Sequence, residues 1–149
     1  MGIMIDEKIC WNESGACALS NRSESVSVKN LTQLPKVRII YGYVGDDGLF
    51  VKAALRDEAR GLVYAACGNG SVPEKLTGLL KETVASGVPV VIATRCGGGI
   101  VVLSEVMTEI NGFIPAGPMN PQKAKILLQL ALTKTSDVNE IQRIFASFL

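Results

Sequence analysis

The side chains able to do chemistry gather where apolar runs stop. Gly61-Leu62-Val63-Tyr64-Ala65-Ala66 leads into Cys67-Gly68-Asn69-Gly70-Ser71, a glycine-bracketed turn that carries a thiol, an amide and a hydroxyl. Val88-Pro89-Val90-Val91-Ile92-Ala93-Thr94 leads into Arg95-Cys96-Gly97-Gly98-Gly99, with the acids Glu105 and Glu109 beyond it. Gly68-Asn69-Gly70 ahead of a helix could cradle a phosphate, but it lacks the GxGxxG length and any Walker lysine, so a nucleotide site is not expected. Three consecutive glycines at 97–99 read as a flexible connector rather than an oxyanion hole. The chain has no histidine, which removes the commonest general base and the commonest zinc ligand together and excludes a Ser/His hydrolase. Cys10, Cys17, Cys67 and Cys96 show no CxxC spacing, so neither a zinc site nor a thioredoxin-like motif is expected. Free thiols are the expectation, with Cys10 and Cys17 the only pair near enough in sequence to suggest a disulfide. Cys67, ending an apolar run, reads as a small hydrophobe, and Arg95 as the partner of a nearby carboxylate.

The elements that position these groups follow from periodicity. Val37 to Tyr43 is a β-branched and aromatic run, a first strand. Asp46 or Asp47 can cap a helix with Leu49, Phe50, Ala53 and Ala54 on its buried side, ending before Gly61. Leu62 to Cys67 has no polar face, which predicts a central strand covered on both sides. Ser71-Val72-Pro73-Glu74 fits a capping box, so Ser71 reads as a helix cap that also stays open to a ligand. The helix it starts carries Leu76, Leu79, Leu80, Thr83 and Val84 on one face and ends at Gly87. Val88 to Thr94 is the third strand, and 112–115 a weak fourth. Asn120 caps a helix from Pro121 to about Leu132 that is apolar nearly all round, and Asp137 opens a last one with Ile141, Ile144, Phe145 and Phe148 inward. The expected fold is α/β, three-layer αβα, with a flavodoxin- or Rossmann-like four-stranded, mainly parallel sheet. Its carboxyl edge is where such sheets bind ligands.

Residues 1–34 differ from the rest. Ile3 to Ile5 and Lys8 to Trp11 can form a hairpin, too small to be stable alone, and 12–27 has the Ser- and Asn-rich composition of a linker. The expected division is therefore a remnant of a preceding domain with its linker at 1–30 and an α/β domain at 31–149. At 149 residues, 48% hydrophobic and 19% charged, the chain is sized for one globular core. A net charge of +1 with no basic run offers no footprint for nucleic acid, and no apolar run is long enough to span a membrane. Acidic residues interrupt the start, so no signal-peptide core is read and the chain as given is expected to stay in the cytoplasm.

Leu34-Pro35-Lys36-Val37-Arg38-Ile39-Ile40-Tyr41, Gly68-Asn69-Gly70-Ser71, Thr94-Arg95 and, above all, Met119-Asn120-Pro121-Gln122-Lys123-Ala124-Lys125-Ile126-Leu127-Leu128 through Ala131-Leu132-Thr133-Lys134-Thr135 resemble the carboxyl-terminal domain of bacterial type II L-asparaginases. The likeness covers about residues 31–149. In that family a larger amino-terminal domain carries the nucleophile on a TGGT-like motif, activated by a second motif with threonine, aspartate and lysine. Neither motif occurs in these 149 residues, so the chain is expected to be inactive alone. The chemistry implied is attack of a threonine hydroxyl on a side-chain amide, loss of ammonia and hydrolysis of the acyl-enzyme. No cofactor or metal is implied.

By motif, the resemblance makes Ser71, Asn69 and Glu105 substrate-binding positions, with Glu109 an alternative to Glu105. On residue type alone Glu105 is a solvated loop acid. A carboxylate pairs with a substrate ammonium by a charge-assisted bond, and a serine hydroxyl both donates and accepts. The implied substrate is L-asparagine, with L-glutamine as an alternative, held in a site shared with the amino-terminal domain. Self-association is expected, and type II relatives are usually periplasmic or secreted. A second reading is a stand-alone binding or assembly module on the same fold with no enzymatic activity.

Overall fold

The computed structural model describes residues 2–5, 8–11, 28 and 31–147. Strands β1 (Gly2–Ile5) and β2 (Lys8–Trp11) pair antiparallel, Ile3 opposite Cys10, as the hairpin reading predicts. Cys17 and the side chain of Cys10 lie outside the described residues, as does Phe148.

The main sheet has strands β3 (Val37–Tyr41), β4 (Gly61–Ala66), β5 (Val90–Thr94) and β6 (Ile114–Pro115) in that spatial order, every pair parallel. Alternation along each strand sorts the core into two layers. Leu62, Tyr64 and Ala66 of β4, with Val90 and Ile92 of β5, pack against helices α1 (Leu49–Arg56) and α2 (Glu74–Ala85). Val63, Val91 and Ala93 point the other way, onto α3 (Pro121–Ala131) and α4 (Val138–Ala146). Every residue of β4 and of β5 is buried, as expected of parallel strands covered on both faces. Among the described residues no helix is long and apolar enough to cross a membrane.

The helix ends show which local signals held. The Asn120 side chain accepts the Lys123 amide proton at 2.9 Å with Pro121 in the first turn, and Asp137 accepts from Asn139 and Glu140. At the end of α2, Gly87 takes φ +86 and its N–H reaches the Val84 carbonyl, while the Val88 N–H reaches that of Thr83, the paired bonds of a Schellman motif. Leu76, Leu80 and Thr83 are buried as predicted, and so are Ile141, Ile144 and Phe145.

Two expectations are corrected. Helix α1 buries Val51 and Ala54, not Leu49, Phe50 and Ala53; Leu49 and Phe50 are more than half exposed. The chain turns at Gly48 in the left-handed region, and a Cβ there would sit 2.6 Å from Leu79 Cδ2, so only glycine lets α1 start this close to α2. Starting there sets the phase that turns Val51 inward. Asp46 and Asp47 each accept the amide proton two residues on rather than capping the helix proper. The all-round apolarity of α3 is mostly absorbed within the chain, because α4 packs in the same core cluster and leaves Ile126 as its one large exposed hydrophobic.

Candidate functional site

At the carboxyl edge of β4 the chain makes a closed five-residue turn. The Ser71 amide donates to the Cys67 carbonyl at 2.9 Å, and the two residues form an isolated antiparallel bridge. Gly68 and Gly70 both have positive φ. Gly70 is buried, and a Cβ on it would lie 3.0 Å from carbons of Ile92, Leu103 and Val101, so the turn is wedged beneath the 101–103 segment. This geometry overturns the capping box. Helix α2 begins at Glu74 with Pro73 as its N-cap and no side-chain cap, while Ser71 is held two residues upstream by its bridge to Cys67. Its exposed hydroxyl is thereby left open to a ligand.

Asn69 reaches across to the next loop. Its Oδ1 accepts the Val102 amide proton at 2.6 Å, and the Val101 amide donates to the Gly117 carbonyl at 3.0 Å. The segment leading to Glu105 is therefore tied at two points. Beyond it, Val106–Ile110 form a π-helical turn with the Asn111 amide donating to the Val106 carbonyl. Glu105 stands at the head of this turn and Glu109 within it, both exposed. The structure thus joins Asn69 and Ser71 on one turn and links that turn through Asn69 to the Glu105 loop.

Ser71 lines a cleft of about 400 Å³ with the 42–46 loop, Tyr64, Ala66, Cys67, Pro73 and Lys75; Asn69, Glu105 and Glu109 are not in its lining. Tyr64 is fully buried, and its hydroxyl donates to Asp46 Oδ2 at 3.0 Å while Asp46 Oδ1 accepts the Gly48 amide proton. Burial, then the bond to Asp46, push the Tyr64 phenol well above its ordinary range. The sequence reading passed over this pair, although a tyrosine inside a wholly buried strand requires a hydrogen-bond partner and so announces one. Lys75 was passed over too; it has no partner signal in sequence. A larger groove of about 510 Å³ runs along β3 beside Phe50, but it is lined mainly by hydrocarbon, with Arg38 and Asp57 paired there. It has the lining of a contact surface, not of a reaction site.

Two further side chains depart from expectation. Arg95 donates to the Gly42 carbonyl rather than to a carboxylate, because the β5 end lies across β4 from the loop after β3. Cys67 is exposed, not packed as a hydrophobe, since the strand ends one residue earlier. The Cys96 thiol accepts the Gly68 N–H at 3.4 Å; that bond, then Thr94, then the charge of Arg95, outweigh partial desolvation and lower its pKa.

A four-stranded parallel sheet covered by helices on both faces, with this turn and a following acidic loop at its carboxyl edge, defines a three-layer α/β domain. Residues 36–145 match the family described as the Glutaminase/Asparaginase C-terminal domain, and the chain belongs to that family. It is 42% identical over 122 residues to L-asparaginase 2 of Bacillus subtilis (strain 168), covering 82% of this chain and 32% of that protein. Against a glutaminase-asparaginase of Pseudomonas fluorescens biotype A the identity is 35% over 147 residues, covering 97% of this chain and 40% of the relative. The crystal structure of a probable cytoplasmic L-asparaginase from Campylobacter jejuni superposes with a TM-score of 0.79 at 39% identity, covering 97% of this chain and 47% of that one. The chain thus spans from about a third to just under half of the length of these relatives.

Proposed function

We propose that this chain supplies the substrate-positioning part of an L-asparaginase-type amidohydrolase, acting on L-asparagine or L-glutamine. Ser71 and Glu105 hold the substrate α-amino group, and Asn69 sets the position of one relative to the other. The threonine nucleophile and its activating motif come from an amino-terminal domain of the kind the longer relatives have room for. Residues 1–30 are the tail of such a domain and its linker, and 31–149 the domain that docks beside it. Without that partner the 149 residues do not hydrolyse asparagine. Self-association belongs to the same reading, because Tyr41 and Phe50 are left exposed along the groove at the β3 edge of the sheet.

The observation that carries the proposal is the Asn69 to Val102 bond between the Ser71 turn and the Glu105 loop. It couples the two residues that the family resemblance assigns to one ammonium group, and Ser71 is free of capping duty. The test is ammonia release from L-asparagine by the chain alone and after mixing with the separately made amino-terminal domain of the Bacillus subtilis relative. Activity only in the mixture, with KM raised about tenfold by Ser71→Ala or Glu105→Ala, is expected for loss of one hydrogen bond to a charged group. A stable complex without activity would overturn the amidohydrolase reading in favour of a stand-alone binding module. Activity of the chain alone would reveal a nucleophile among these 149 residues.

A further inference from the structure

Amide hydrolysis makes no use of the two thiols at the carboxyl edge. Ala66 and Thr94 are the last register partners of β4 and β5, and the Arg95 amide still donates to the Ala66 carbonyl at 2.7 Å. The chains therefore leave the sheet side by side as Cys67-Gly68 and Arg95-Cys96. Cys96 Sγ lies 3.4 Å from the Gly68 nitrogen. Standard backbone dimensions put that nitrogen roughly 2.4 Å from Cys67 Cα, so Cys67 Cα is within about 5.8 Å of the Cys96 sulfur. Both cysteines are free and exposed. A disulfide needs Cα atoms roughly 4.4 to 6.8 Å apart. Continuing the register puts Cys96 one position beyond the residue opposite Cys67, a diagonal that strands about 4.8 Å apart with a rise of about 3.3 Å keep within that span. The backbone after Cys96 can adjust, since Gly97, Gly98 and Gly99 have nothing within 4 Å of a would-be Cβ.

We propose that Cys96 and Cys67 form a thiol-modification site for low-molecular-weight disulfides, with Cys96 the attacking sulfur, Cys67 the resolving one and a Cys67–Cys96 bridge the product. The Cys96 thiolate attacks one sulfur of the small disulfide, forming a mixed disulfide and expelling a small thiolate. That thiolate takes the proton of Cys67. The Cys67 thiolate then attacks the Cys96 sulfur, forming the protein bridge and expelling the second small thiolate. The protein loses two electrons and the small disulfide gains them. Cys96 goes first because the Gly68 N–H, Thr94 and Arg95 favour its thiolate. The bridge would clamp the turn that carries Ser71 to the end of β5, a functional consequence that rests on the amidohydrolase reading above.

The test is incubation of the full chain with oxidised glutathione, then non-reducing tryptic mapping. Cleavage after Arg60, Lys75, Arg95 and Lys123 puts Cys67 and Cys96 on separate peptides, and cleavage after Lys8 and Arg22 isolates Cys10 with Cys17. The expected product is the peptide of 61–75 linked to that of 96–123. Cys67→Ser should stop at a stable glutathione adduct on Cys96, and Cys96→Ser should slow modification of Cys67 by at least about tenfold. No linked peptide, or equal rates at Cys67 with and without Cys96, overturns the proposal. The readout needs no activity. A linked peptide in a chain that never supports hydrolysis sinks the enzymatic reading alone, and hydrolysis in a chain that never links sinks the thiol site alone.

Discussion

The two loops that carry Ser71 and Glu105 leave the same edge of the sheet and are built in opposite ways. The Ser71 turn is short, closed by its own hydrogen bond, and wedged by a buried glycine against Ile92, Val101 and Leu103. The Glu105 loop passes through three glycines in open space into a π-helical turn with no buried residue, where Val106 and Ile110 are 55% and 61% exposed. A stiff arm and an adaptable arm suit a site completed by a second domain. Under the proposed function the stiff arm would fix where the substrate ammonium sits, and the adaptable arm would bring Glu105 to it at little local cost. Asn69 is the tie between them.

The contrast breaks most plainly at the glycines. Gly70→Ala forces a side chain into the left-handed region and onto three carbons at 3.0 Å, and should cost about 3 kcal/mol. Gly98→Ala on the other arm meets nothing and should cost less than about 0.5 kcal/mol. Urea midpoints compare them, and equal losses would end the distinction.

Tyr64, on the strand that leads into the stiff arm, bonds instead to Asp46 of the neighbouring 42–46 loop. Tyr64→Phe should cost about 2 kcal/mol, the worth of a hydrogen bond to a charged group. Its folded pKa is raised, first by burial and then by Asp46. The associated stability is therefore fully present below the unfolded phenol value, roughly 10, and is lost as pH rises beyond it. In an alkaline absorbance titration one of the three tyrosines should stay un-ionised until the fold is lost. Smooth titration of all three in the folded protein would place Tyr64 in contact with water.

Asn69→Ala cuts the tie and should cost about 1 kcal/mol. Amide exchange at Val102 should quicken while the core of β4 keeps its protection; unchanged exchange at Val102 would mean that the loop is held by Gly117 alone. Ser71→Ala has the smallest expected effect on stability, under about 0.5 kcal/mol, because the hydroxyl caps nothing. A loss near 1 kcal/mol in thermal or urea unfolding would restore the capping box.

Most of the scaffold was legible because its signals are local. The unbroken apolar run of β4, the Asn120-Pro121 start of α3, Asp137 at α4 and Gly87 after α2 all act within a few residues of themselves, and all formed as read. The failures also have local causes. Leu49 and Phe50 fit a helical spacing as well as Val51 and Ala54 do, and periodicity alone cannot choose the phase. Ser71 has the right spacing for a capping box, but its bridge to Cys67 leaves Pro73 as the N-cap of α2.

By itself the sequence determined the order of strands and helices, the buried central strands, the caps and the family, because these depend on neighbouring residues or on an ordered series of motifs. Only the tertiary structure decided that Asn69 would bond Val102, that Arg95 would reach Gly42, and that the Gly68 amide would meet the Cys96 sulfur. These partners lie 28 to 53 residues apart. What brings them together is the register of parallel strands, which depends on packing from both faces of the sheet at once.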